Sequence, residues 1–154
     1  MKWLKAAVVG VGAALVMYLL MILAIQGGAA PFNIPPSAAM LTRLGIGVAP
    51  LALLVHFAYG AFWSMALVYW FEEQTSISNG IYLALGLWLI MMIVYSPIIG
   101  WGFFGFGSSG SMLSQNDPIY LAPGPKYLIA TLVLHLVYGA IIGWLNPLWI
   151  NFET

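Results

Sequence analysis

Cysteine is absent from the chain, and formal charge is scarce. Without a thiol there can be no disulfide, thiolate metal site, iron–sulfur cluster or thiol nucleophile. Charged side chains make up 5% of the 154 residues, against roughly 25% in ordinary soluble domains. Four basic residues balance four acidic ones. They form no cluster to neutralise phosphates, so nucleic-acid binding is not expected. Lys2, Lys5, Arg43, Glu72, Glu73, Asp117, Lys126 and Glu153 all fall at the ends of apolar runs or between them. Ion-coupled carriers commonly bind their ion on a carboxylate or lysine in mid-membrane. Its absence argues against active transport and leaves a neutral pore open.

In place of charge the chain has apolar residues, 63% of the total. About 20 consecutive apolar residues in a helix cross a hydrocarbon core, and four stretches meet that length. They predict an all-α, integral membrane four-helix bundle in one domain, with spans at about 6–26, 45–71, 80–103 and 126–147. Lys2 and Lys5 before the first run and Gly27-Gly28-Ala29-Ala30 after it also resemble a secretory signal, but the run is long for that and is read as a span.

Proline and glycine punctuate the connections. Pro31, Pro35 and Pro36 interrupt the chain after span one, with Ser37 expected to cap a short surface helix through Leu44. Asn79-Gly80 marks the turn into span three, so spans two and three are expected to be antiparallel neighbours. Pro97 should bend span three by freeing the Ile93 carbonyl, unless Ser96 or water compensates. Residues 107–125 carry turn signals, and Pro125 suits the first turn of span four. Trp3, Trp70, Trp144 and Trp149 form one expected interfacial belt and Trp101 the other. An even number of spans puts both termini on one side. The basic residues divide evenly, two to each side, and the first helix is taken to set a cytoplasmic N-terminus.

One motif occurs twice. His56-Phe57-Ala58-Tyr59-Gly60-Ala61 in span two and His135-Leu136-Val137-Tyr138-Gly139-Ala140 in span four both read H-x-x-Y-G-A. The same offset pairs Leu53 with Leu132, Ser64 with Gly143 and Trp70 with Trp149. Spans two and four run in the same direction, so the histidines are expected at similar depth, as in a helix pair used twice. Spans one and three do not align convincingly. At a spacing of four, His56, Gly60 and Ser64 share one helix face, as do His135, Gly139 and Gly143. Span one offers Ala6, Gly10 and Ala14. Such small-residue faces allow close helix approach, and Gly60→Leu and Gly139→Leu are expected to destabilise more than Ala6→Leu.

The plain reading of the histidines is a pair of interhelical hydrogen bonds, with Tyr59 or Tyr138 as partners. A sharper one makes His56 and His135 the axial ligands of one haem b, with Lys126 and Arg43 near its propionates. Helices packed glycine to glycine would leave that macrocycle no room, so the two readings exclude each other. A third gives the His, Tyr, Trp and Ser side chains a pocket or path for water, a quinone or a lipid. Two histidines without an intramembrane acid fall short of a catalytic zinc site, which keeps three protein ligands, and an autonomous enzyme is not expected.

The paired H-x-x-Y-G helices, with Pro35-Pro36-Ser37-Ala38-Ala39 before the first, resemble small prokaryotic four-helix membrane proteins classed as a domain of unknown function. The resemblance spans most of the chain. It implies the fold and a prokaryotic plasma-membrane location, and carries over no activity, cofactor or catalytic residue. The leading functional expectation is an accessory or structural subunit, surrounded by lipid and packed against other membrane proteins or itself. No cofactor is expected on that reading. The alternatives are a bis-histidine haem b electron carrier and a small channel or carrier.

Overall fold

Four helices in the computed structural model are long and apolar enough to cross a membrane. The structure describes residues 1–47 and 49–150, Ala49 by its backbone. Glu153 lies outside them. Helix α1 spans Lys2–Gln26 and the short α2 spans Pro36–Arg43; α3 is Ala49–Phe71. Helix α4, Ile77–Ile90, continues through a π-helical turn, Met91–Tyr95, into α5, Ser96–Ile99. A single turn, α6, covers Ser108–Ser111, and α7 is Lys126–Trp149. The chain is an all-α four-helix membrane bundle. At 1.5 Å per residue the 23 residues from Ile77 to Ile99 reach about 35 Å, enough for a core of about 30 Å.

Local chemistry moves several boundaries from their expected places. Ser76, extended and ahead of α4, accepts the Asn79 N–H at 3.4 Å. Asn79 and Gly80 therefore lie inside the helix rather than in a turn before it. The third span ends at Ile99 and not near 103, because Gly100 takes a left-handed conformation, φ 99°, at little cost only to glycine. Before α2, Pro35 holds the cap position and Pro36 opens the helix. Ser37 thus lies within the first turn, and proline's fixed φ starts the helix. The Ser96 hydroxyl does not compensate the Ile93 carbonyl near Pro97; it donates to Met91 O at 3.0 Å.

Small residues choose the helix partners. Helix α1 packs along α3, α4 along α7, and the two pairs join mainly through α1 and α7. A Cβ on Gly60 would lie 2.6 Å from Ala14 Cβ, and one on Gly10 would lie 2.6 Å from Ser64 Cβ. In the other pair, a Cβ on Gly139 would lie 2.6 Å from Ala84 Cβ, and one on Gly80 3.0 Å from Gly143 Cα. Backbones this close gain dispersion that a larger side chain would forbid. The consecutive helices α3 and α4, expected to be neighbours, make little contact. Their short connection holds only adjacent ends together, while the glycine faces direct each toward another helix.

Met1 and Ile150 lie at one end of the bundle, where Lys5 Nζ donates to Trp149 O at 2.9 Å. Lys2 approaches Glu72 at 3.6 Å, with both side chains well exposed, so the pair adds little stability. At the opposite end the two long connections fold onto each other. Ala122 N–H donates to Pro31 O at 2.8 Å, and Asn33 Nδ2 donates to Gln115 O and Asp117 O at 2.8 and 2.7 Å. Trp101 does not serve in an interfacial belt. It is fully buried, stacks on Phe32 at 6.2 Å, meets Tyr127 edge-on at 5.2 Å and donates from Nε1 to Ile119 O at 2.9 Å. Its indole is large and apolar, and its one donor finds a part-buried carbonyl.

This topology is directly testable, since the chain has no native cysteine. Single cysteines at the exposed Thr42 and Ser109 are expected to label with an impermeant maleimide from one side of the membrane, and one at Glu73 from the other. Labelling of Thr42 and Ser109 from opposite sides would overturn it.

Candidate functional site

The repeated histidines meet at one cavity. His56 lies seven residues into α3 and His135 nine into α7, depths of about 10 and 13 Å from the end that carries the long connections. Both line a space of about 180 Å³ enclosed by α1, α2, α3, α4, the π turn and α7. Its wall is chiefly apolar, with Met17, Met21, Met40 and Met91 among its members. Tyr59, Tyr95, Tyr138, Thr131 and Ser37 supply hydroxyls.

Each imidazole is oriented by a backbone carbonyl. The His56 ring bonds through Nε2 to Ala14 O at 3.0 Å, crossing from α3 to α1. The His135 ring bonds through Nδ1 to Thr131 O at 2.8 Å, one turn earlier in its own helix. A carbonyl only accepts, so these nitrogens carry the protons. The two rings are held in opposite tautomers, leaving Nδ1 of His56 and Nε2 of His135 as lone-pair acceptors. Among the described residues neither has a protein hydrogen-bond partner, and neither is a fully buried atom. The hydrogen bonds expected to Tyr59 or Tyr138 are not the ones formed. Only that of His56 is interhelical.

Tyr138 instead joins the helix pairs, donating to Gly60 O at 2.6 Å. Tyr59 stands edge-on to Trp63 at 5.9 Å. Ser64 is fully buried and lies away from the cavity, accepting from Asn146 Nδ2 at 2.9 Å. Gly139 and Gly143 serve the close contact with α4. The repeated motif therefore divides its labour: histidine and tyrosine face the cavity, and the small residues bring the helices together.

Several lining residues escape sequence reasoning. Thr131 accepts from Trp88 Nε1 at 3.1 Å and donates to Tyr127 O at 2.7 Å, and it supplies the carbonyl that orients His135. Its spacing of four from His135 was the available signal. Met91 and Tyr95 reach the cavity from the π turn, a local widening frequent at functional sites that composition does not reveal.

The cavity has an open side. Val55 and Tyr95 are its exposed lining residues, at 44% and 37%, and they flank the gap where α3 and α4 separate. Helix α2 lies over this gap, touching α3 on one side and α5 on the other.

A haem does not fit here. The space is close to the roughly 150 Å³ that holds a single benzene, far below what a macrocycle of several rings requires. His56 commits Nε2 to Ala14 O. Arg43 and Lys126 stay exposed and outside the lining. Among the described residues no three His, Asp or Glu side chains gather to hold a metal ion. What the arrangement offers is a one-ring space with fixed hydrogen-bond acceptors in an apolar wall. Comparison with family models, curated proteins and solved structures finds no match to this chain.

Proposed function

We propose that this protein binds a small lipid-soluble molecule within the membrane, as a binding protein or carrier. The observation that carries the reading is the cavity of about 180 Å³ flanked by both repeated histidines. Packing alone does not require oriented imidazoles with free lone pairs, since a polar atom without a hydrogen-bond partner is costly in an apolar surrounding. A bound molecule that occupies the space and pairs those nitrogens removes the cost. An accessory subunit would draw on the same apolar exterior as any membrane bundle, and no feature of this structure favours it specifically.

The two contact sets also support a helix pair used twice. Gly10 and Ala14 meet Gly60 and Ser64 as Gly80 and Ala84 meet Gly139 and Gly143. The first helices of each pair thus correspond by contact where they do not align by sequence. In a prokaryotic plasma membrane with both termini cytoplasmic, the cavity would lie in the outer half of the bilayer.

The test is fluorine NMR of fluorobenzene with the protein in lipid nanodiscs. A shifted, saturable bound resonance is expected with the unmodified chain and is expected to vanish in Leu134→Trp, which fills the cavity from a buried lining position. A rim variant, Val55→Trp, is expected to slow exchange into the site. Absence of any saturable signal, or an identical signal in a folded Leu134→Trp protein, would refute the reading.

A further inference from the structure

We infer that the ligand is a hydroxylated aromatic ring, of the quinol or phenol class, whose hydroxyl groups donate to Nδ1 of His56 and Nε2 of His135. The inference rests on the binding reading above and names its chemistry. Of the hydroxyls around the cavity, Tyr138 and Thr131 donate to Gly60 O and Tyr127 O, and those of Tyr59, Tyr95 and Ser37 can rotate to donate or accept and do not discriminate. The imidazoles can. With Nε2 of His56 committed to Ala14 O and Nδ1 of His135 to Thr131 O, each remaining nitrogen can only accept. A carbonyl ligand such as a quinone meets lone pair with lone pair at both positions, whereas a ring bearing hydroxyls satisfies them.

The rest of the cavity suits an aromatic ring. Four methionine thioethers line it, and sulfur makes favourable contacts with ring edges. The volume is close to that which holds one ring.

The source of that ring is the bilayer. The exposed rim residues Val55 and Tyr95 face the gap between α3 and α4, within two of the membrane-crossing segments. A ring bound between the histidines can leave a hydrocarbon tail in the lipid through this gap, under α2.

The experiment compares para-fluorophenol, para-fluoroanisole and fluorobenzene by fluorine NMR with the full chain in nanodiscs. The phenol is expected to bind at least tenfold more tightly than the anisole, in which a methyl group replaces the donating hydrogen. The phenol's single hydroxyl can pair with only one imidazole at a time, so that preference is expected to shrink in at least one of His135→Leu and His56→Leu. A second arm displaces para-fluorophenol with hydroquinone, decyl-hydroquinone and decyl-benzoquinone. The decyl quinol is expected to compete best and to lose at least tenfold in Val55→Trp.

Equal affinity for all three fluorinated rings leaves the cavity reading standing and overturns the hydroxyl inference; this comparison needs no variant to fold. Saturable binding by none of them defeats both. Decyl-benzoquinone matching decyl-hydroquinone also overturns the inference. Hydroquinone competing as well as its decyl form overturns the bilayer source and leaves a tail-less phenol as the ligand.

Discussion

Gly139→Leu is expected to leave little or no folded bundle. Even the first carbon of a side chain at this position would lie 2.6 Å from Ala84 Cβ and against Gly80 O. Overpacking a core typically costs about 1–3 kcal/mol, relieved by side-chain shifts. Part of the obstacle here is backbone, so relief requires α4 and α7 to separate, and the cost is expected to exceed that range. Gly139→Ala is the graded form of the same test. Gly86 is the control, since a Cβ there meets nothing within 4 Å. Gly86→Ala is expected to be neutral or to gain up to about 1 kcal/mol from helix propensity. Folded fraction against denaturing detergent measures all three, and indistinguishable curves for Gly139→Ala and Gly86→Ala would contradict the packing. Ala6→Leu is not the mild reference that the sequence suggests, because Ala6 is itself fully buried beside Val68 and Ile150.

Trp101→Ala is expected to cost about 3–5 kcal/mol, the usual range for emptying a large aromatic site in a core. The indole supports Phe32 from one connection and Tyr127 from the start of α7. Its removal also strips Ile119 O of its indole donor. The region from Ser108 to Pro118 is then expected to become sensitive to protease, because the cap that ties it to residues 31–33 has lost its centre. Trp70→Ala serves as comparison. That side chain is largely exposed, and its loss is expected to change unfolding and cleavage very little. Matching unfolding midpoints and cleavage rates in the two variants would show that the cap does not depend on Trp101.

The spans were legible in the sequence because hydropathy reports the solvent, and here the solvent is lipid. For the same reason hydropathy says little about which way a helix faces. In water an apolar stripe marks the buried side, but in a bilayer both sides of α1 are apolar, with Leu19 and Leu23 outside and Met21 inside. The facing signal survives only in small and polar residues. Gly10, Gly60 and Gly139 could be placed by their spacing from other small residues or from histidine. Gly12 and Gly86 look no different by type and face open space. The similar depth of His56 and His135 followed from the repeat. Their carbonyl partners did not, because an acceptor shared by every residue leaves no mark in the sequence. Trp101 was misplaced because an indole near a helix end suits an interface and a packed cap equally well.

The π turn in the third span has the effect of a one-residue insertion. The buried positions run Gly80, Ala84, Leu87 and then Met92, Ser96, Ile99. The interval from 87 to 92 is five where an uninterrupted helix would use three or four. One extra residue turns everything beyond it by about 100°, so the two parts of the span differ in phase. Ser96 is thereby brought within 2.6 Å of the Tyr127 hydroxyl, while Met91 and Tyr95, on the phase of the first part, are left at the cavity wall. A single span can then close against α7 through Gly80 and Ala84 at one end and Ser96 at the other, and still present Met91 and Tyr95 to the cavity that the two imidazoles share.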